Sequence, residues 1–173
     1  MQKTFYDSTP FKYGYSSKEE ILENMNPNLK DVIEKSHGKI ITDIGCGCGR
    51  NLVYSSKYAD KLIGVDLSRR SLDFAKKFIQ SKNLELLLGN NLKIPLNDNF
   101  SDLVISDGVV HHTGDTIKAF NECIRILKPG GFLYLAIYKK YRYYPFIYKY
   151  LGSLLRLLNK TKIGSILMEN TFV

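Results

Sequence analysis

Between residues 39 and 138 the apolar positions follow two alternating rhythms. One rhythm is the short continuous run: Lys39–Ile44, Lys61–Asp66, Leu84–Leu88, Asp102–Ser106 and Phe132–Tyr138. Each run is β-branched or leucine-rich, too short for a stable helix and bounded by Gly, Asn or Pro, so each reads as a strand. The other rhythm is helical. Over Ser68–Ser81, Leu72, Ala75, Phe78 and Ile79 form one stripe, with Ser68 placed to cap it. Over Asp115–Leu127, Ile117, Phe120, Ile124 and Leu127 share one side, and Lys128-Pro-Gly-Gly131 supplies the stop. Ahead of the first strand, Ser16–Ser36 reads as one or two short helices broken at Asn26-Pro27, because proline disfavours a helical residue before it. Residues 90–101 hold Pro95 and several Asn and read as a loop.

The strands are apolar along their length rather than on alternate positions, which implies a sheet buried on both faces. Strands alternating with helices then predict an α/β fold, a doubly wound and mainly parallel sheet. Such sheets bind ligands at the carboxyl ends of their strands, near the switch in strand order. Chemistry is therefore expected at Ile44, Asp66, Leu88, Ser106 and Tyr138. The organisation expected is a helical lid segment at 1–37, the sheet-forming core at 38–138 and a distinct tail at 139–173.

Composition changes this picture little. Apolar residues make up 44% and charged residues 24%, which excludes disordered and fibrous chains. The cysteines are Cys46, Cys48 and Cys123, too few for a disulfide scaffold. Cys46-x-Cys48 lacks a second pair at zinc spacing, so no metal is assigned. Met1–Pro10 lacks the apolar stretch of a signal peptide, and no apolar run approaches the ~20 residues that span a bilayer. A reducing cytoplasm is the expected setting. The net charge of +8 raises the prior for an anionic partner. It is unevenly spread, with 18 basic and 16 acidic side chains in residues 1–138, and seven basic ones against Glu169 in residues 139–173.

The first strand runs into Asp43-Ile-Gly-Cys-Gly-Cys-Gly-Arg-Asn51, with glycines at 45, 47 and 49. Glycine allows a sharp turn and lets a ligand approach the backbone. A helix should start near Arg50, and Asp66 ends the next strand, where a carboxylate can accept from both hydroxyls of a ribose. A dinucleotide fingerprint would need G-x-G-x-x-G, and Arg50 stands at its third glycine. That spacing argues against a nicotinamide dinucleotide. A tight turn with no ligand is the bland alternative.

Taken together, Asp43–Asn51, Gly64-Val-Asp66-Leu-Ser68 and Leu127-Lys-Pro-Gly-Gly131 resemble the class I S-adenosylmethionine-dependent methyltransferases. The resemblance covers residues 38 to 138 and is nearest to the small-molecule branch that includes ubiquinone and menaquinone biosynthesis methyltransferases. It implies S-adenosylmethionine as cofactor. It also implies roles: Gly45, Cys46, Gly47 and Gly49 would line the methionine part with their backbone, and Asp43 would face its ammonium. Asp66 would hold the ribose and Leu67 would flank the adenine. The family usually places an Asp after the third strand for the adenine amino group; here Gly89-Asn90-Asn91 stands there, and Asn90 can accept through its carbonyl oxygen.

Methyl transfer from a sulfonium asks the protein mainly to align the acceptor and exclude water. A base is needed only for a protonated, weak nucleophile. Asp107, His111 and His112 follow the fourth strand and should lie beside the ligand, the histidines as candidate bases or as packing and capping residues. Nucleic-acid amino-methylating enzymes typically carry Asp/Asn-Pro-Pro-aromatic here, whereas this chain has Ser106-Asp-Gly-Val109, and none of its cysteines follows a proline. A small-molecule acceptor is the expectation. The alternatives are a nucleic-acid methyltransferase and a non-catalytic or truncated cofactor-binding module. Tyr6, Phe11, Tyr13 and Tyr15 could form an aromatic lid or a simple strap. In the tail, Ile147, Tyr150, Leu151, Leu154, Leu155 and Leu158 recur at helical spacing beside basic residues. Such a helix suits a sheet cover, a dimer contact or a membrane surface. The family usually adds two final strands, and only a short one near Ser165–Met168 could fit here.

Overall fold

The computed structural model describes residues 17–137. The chain divides into two units, Met1–Ile137 and Tyr138–Val173, and the account below concerns the described part of the first. The aromatic segment at residues 6–15, the tail helix, the strand near Ser165–Met168 and the end of the fifth strand at Tyr138 all lie outside the described residues.

Helices α1 (Lys18–Glu23) and α2 (Pro27–Glu34) come first. Ser17 caps α1 by accepting from the Glu20 N–H at 3.2 Å. Asn26 caps α2, whose first residue is Pro27, so the Asn-Pro break starts a helix as well as ending one. There follow β1 (Ile40–Ile44), α3 (Arg50–Ser55), β2 (Lys61–Asp66), α4 (Arg69–Phe78), β3 (Leu84–Leu88), β4 (Ser101–Asp107), a short 3-10 turn (Val110–His112), α5 (Thr116–Ile126) and β5 (Leu127–Ala136).

The five strands form one sheet in the order β3-β2-β1-β4-β5, with every pairing parallel. The chain winds outward from β1 to β3, then returns to β4 beside β1. The switch in strand order therefore lies between β1 and β4, and the crevice it opens is at their carboxyl ends. Each face of the sheet carries its own core. One packs Ile41, Leu103 and Ile105 against Ile21, Leu29 and Ile33 of the first helices, Leu52 of α3 and Leu72 of α4. The other packs Ile44, Ile63, Val65 and Val104 against Val110 and α5. Ile21, Leu29 and Ile33 are buried there, so α1 and α2 pack into this core. At the base of the switch, the Thr42 and Ser101 hydroxyls share a buried 2.6 Å hydrogen bond, and Asp102 accepts from the Ile40 N–H and the Lys128 ammonium.

Two expectations are corrected. The stripe expected to bury α5 is not its inner face: Ile117 is 71% exposed and Ile124 45%, while Ala119, Cys123 and Ile126 are buried. The inner face is made by two small residues and Ile126, and Ile117 and Ile124 lie outside it. The fifth strand also begins earlier than Phe132. Leu127 already pairs with Ser101, and the Lys-Pro-Gly-Gly stretch is absorbed by a register shift between Ser101 and Leu103.

Candidate functional site

The glycine loop leaves β1 at the switch point. It is tied down from β2, whose Val65 carbonyl accepts from the Gly45 and Cys46 N–H groups at 2.7 and 3.1 Å. Gly45 has φ +70°, and an added Cβ would lie 2.4 Å from a Val109 methyl, so the loop is pinned under the chain that follows β4. Gly47 has φ +53°, and an added Cβ would meet nothing within 4 Å. The backbone there borders open space, as a cradle for a ligand requires. Cys46 and Cys48 are both buried. Gly49 caps α3 in the left-handed conformation.

Asp66, at the end of β2, is already oriented. Its Oδ2 accepts from the Gly47 N–H and its Oδ1 from the Ser68 N–H, each at 2.8 Å. Leu67 beside it is half-buried, and Ser68 caps α4 by accepting from Ser71.

Asp43 is 1% exposed, and its Oδ2 has no hydrogen-bond partner. Burial, then the nearby negative charge of Asp107, pushes its carboxyl up to about 8. The Asn51 side chain, hydrogen-bonded to it, and the Arg50 charge pull the other way, and Asp66 adds to the rise. Arg50 and Asp107 form an ion pair that spans from the start of α3 to the end of β4.

At the end of β3 the two asparagines divide. Asn90 Oδ1 accepts from the Leu92 N–H at 2.9 Å in a local turn. Asn91 Oδ1 is buried and without a hydrogen-bond partner. The loop behind them is clamped to α5: Glu122 accepts from the Ile94 N–H at 2.7 Å, and the Arg125 guanidinium donates to the carbonyls of Ile94 and Leu96. Past β4, His111 and His112 lie on the 3-10 turn with ring centroids 4.0 Å apart. His112 is exposed and His111 half-buried. Burial, then the neighbouring His112, lowers the His111 pKa, so its imidazole stays neutral near neutral pH.

The strand order sets these groups in a row along one edge of the sheet: Asn91 after β3, Asp66 on β2, the glycine loop and Asp43 on β1, Asp107 on β4. The row runs from an amide acceptor, through a hydroxyl acceptor and an open backbone cradle, to a cluster of carboxylates. Nearly all expected site residues fall along it. Sequence reasoning missed Arg50, seen only as a displaced glycine, together with Asn51 and Val109. Of the two candidate asparagines, Asn90 uses its Oδ1 in a local turn that composition does not reveal. The presence of Asn at N2 of α3, just across the glycine loop from Asp43, was the available signal for Asn51.

The family described as "Methyltransferase domain" matches residues 42–135. Among curated relatives, a probable tRNA methyltransferase 9B from Bos taurus is 33% identical over 108 residues, covering 61% of this chain and 22% of that protein. A demethylmenaquinone methyltransferase from Lactococcus lactis is 34% identical over 100 residues, covering 54% of this chain and 40% of that one. Among solved structures, an S-adenosylmethionine-dependent methyltransferase from Mesorhizobium loti superposes with a TM-score of 0.57 at 26% identity, over 62% of this chain and 50% of that one. The chain thus spans from about a fifth to two-fifths of the length of these curated relatives.

Proposed function

The chain belongs to the methyltransferase-domain family, and from that premise we propose that it moves the methyl group of S-adenosylmethionine to a small-molecule acceptor by direct displacement. The family and its fold make it an S-adenosylmethionine-dependent methyltransferase. The residues present fit that cofactor. Asp43 holds a buried oxygen with no hydrogen-bond partner at the switch point, and the backbone at Gly47 borders open space. The observation that carries the reading is this Asp43 oxygen, in line with the pre-oriented Asp66.

The cofactor supplies a methyl group made electrophilic by its sulfonium. The chain supplies placement. Asp66 accepts the ribose hydroxyls, and Asn91 Oδ1 accepts the adenine amino group, the part expected of Asn90. Asp43 and Asp107 face the ammonium, and Leu67 flanks the base. Val109, folded over Gly45, excludes water from one side of the loop. His111, neutral near neutral pH, can hold a proton released by the acceptor; His112 is too exposed to share that task well.

Two features support a small acceptor. The sequence after β4 lacks the proline-aromatic motif of nucleic-acid amino-methylating enzymes, and residues 1–138 are nearly balanced in charge. The likeness to a tRNA methyltransferase supports a second reading, a nucleic-acid acceptor. The proposal places the chain in the cytoplasm, in keeping with its low cysteine count. Calorimetry with S-adenosylhomocysteine tests the cofactor site, and no binding by the folded chain would reject it. Transfer of labelled methyl to quinone-like phenols but not to bulk tRNA is the expected result; transfer to tRNA alone would install the second reading.

A further inference from the structure

The Arg50–Asp107 ion pair sits at the β4 end of the row, beyond the cradle and beside buried Asp43. Its side chains are 24% and 19% exposed, so it is sheltered rather than a surface pair. Tyr134 of β5 lies near enough to feel both charges. Because the adenosine end of the cofactor is fixed by Asn91 on β3 and Asp66 on β2, its amino-acid end must lie toward β4. That end is a zwitterion, one carboxylate and one ammonium. The protein presents there its own cation and anion, paired with each other, and an oxygen of Asp43 that pairs with nothing.

We propose that Arg50 and Asp107 form a stand-in for the amino-acid end of the cofactor, and that Arg50 turns from Asp107 to the cofactor carboxylate when it binds. Asp107 is then released to join Asp43 at the ammonium. One internal ion pair is exchanged for two intermolecular ones. An arginine suits this role because its guanidinium fork meets a carboxylate through two parallel hydrogen bonds, whether that carboxylate is Asp107 or the ligand. Before ligand arrives the Arg50 charge is partnered by Asp107, and Asp43 beside them is kept protonated by its burial and by Asp107. The inference rests on the cofactor placement above.

The test compares two ligands on the same protein: S-adenosylhomocysteine, and its decarboxylated form, which keeps adenosine, sulfur and amine. The parent protein should bind the decarboxylated ligand at least about tenfold more weakly. Arg50→Ala should lose about tenfold toward S-adenosylhomocysteine and less than about twofold toward the decarboxylated ligand. Arg50→Lys, which keeps the charge without the fork, should lose an intermediate amount toward the first ligand alone; it carries the comparison if the alanine variant does not fold. Equal losses for both ligands would mean that Arg50 is only a staple between α3 and β4, and would overturn the proposal. So would unchanged affinity for S-adenosylhomocysteine. If the parent binds neither ligand, the cofactor placement itself fails and this inference falls with it.

Discussion

Asp43 is a carboxyl group kept from water at the C-terminal end of a central strand. Its pKa is raised to about 8, against an ordinary 3.8, first by burial and then by Asp107. The sign of the consequence follows. Between those values the folded protein binds a proton that the unfolded chain does not, so stability falls as pH rises from about 4 to about 8. Asp43→Asn removes the titration. The ligand-free variant should therefore gain on the parent as pH rises from 5 to 8, by about 1 kcal/mol or more, or ~3 °C in Tm. Its affinity for S-adenosylhomocysteine should fall. Thermal scans at the two pH values check this, and a parallel pH dependence in both proteins would exclude the buried-proton account. Asp66 is held by the Gly47 and Ser68 amides, and Asp66→Ala removes the acceptor proposed for the ribose together with one tie on the loop. Calorimetry should show binding weakened at least about tenfold. The places of both acids at strand ends were legible from the two βα units, while the part assigned to Asp43 came from the family resemblance. Arg50 was not legible, since its meaning lies in a partner 57 positions away.

Elements were legible where one period dominated. β2 and β3 have the residues expected, and the caps at Ser68 and Asp115 start their helices as the sequence implies. The inward face of α5 was not legible. Two overlapping stripes compete on that helix, and hydropathy favours the one with Ile117 and Ile124, but the inner face is made by Ala119, Cys123 and Ile126. The polar side of the same helix does something the periodicity gives no hint of. Glu122 and Arg125 hold the loop between β3 and β4 by its backbone. Arg125 is 29% exposed, so its charge-assisted bonds are partly screened. Arg125→Met should cost about 1–2 kcal/mol and speed hydrogen exchange at the Ile94 amide, while β1 amides keep their protection. Unchanged exchange at Ile94 would show that the loop is held by packing of Ile94 and Leu96 alone.

At the scale of the whole molecule, the order β3-β2-β1-β4-β5 turns the ends of four of the strands into one row, on a parallel sheet whose crossovers are right-handed by rule. The charge that first pointed toward nucleic acid is distributed differently. Residues 1–138 carry 18 basic and 16 acidic side chains, and the site's own row holds Asp66 and Asp107 against Arg50, with Asp43 largely protonated below about pH 8. A row with that balance repels a phosphate backbone more than it attracts one. Any attraction to polyanions must come from residues 139–173, with seven basic side chains against one acid. Attraction of that kind depends on counterion release and falls steeply with salt. The full chain should therefore bind tRNA only at low salt, and at 0.15 M no more tightly than about 10⁻⁵ M. Replacing Lys139, Lys140 and Arg142 by Gln should flatten the salt dependence by about three units of log–log slope, if each meets one phosphate, and leave S-adenosylhomocysteine affinity unchanged. Binding that survives physiological salt, or that is lost on reversing charge at the strand ends rather than in the tail, would move the acceptor from small molecules to RNA.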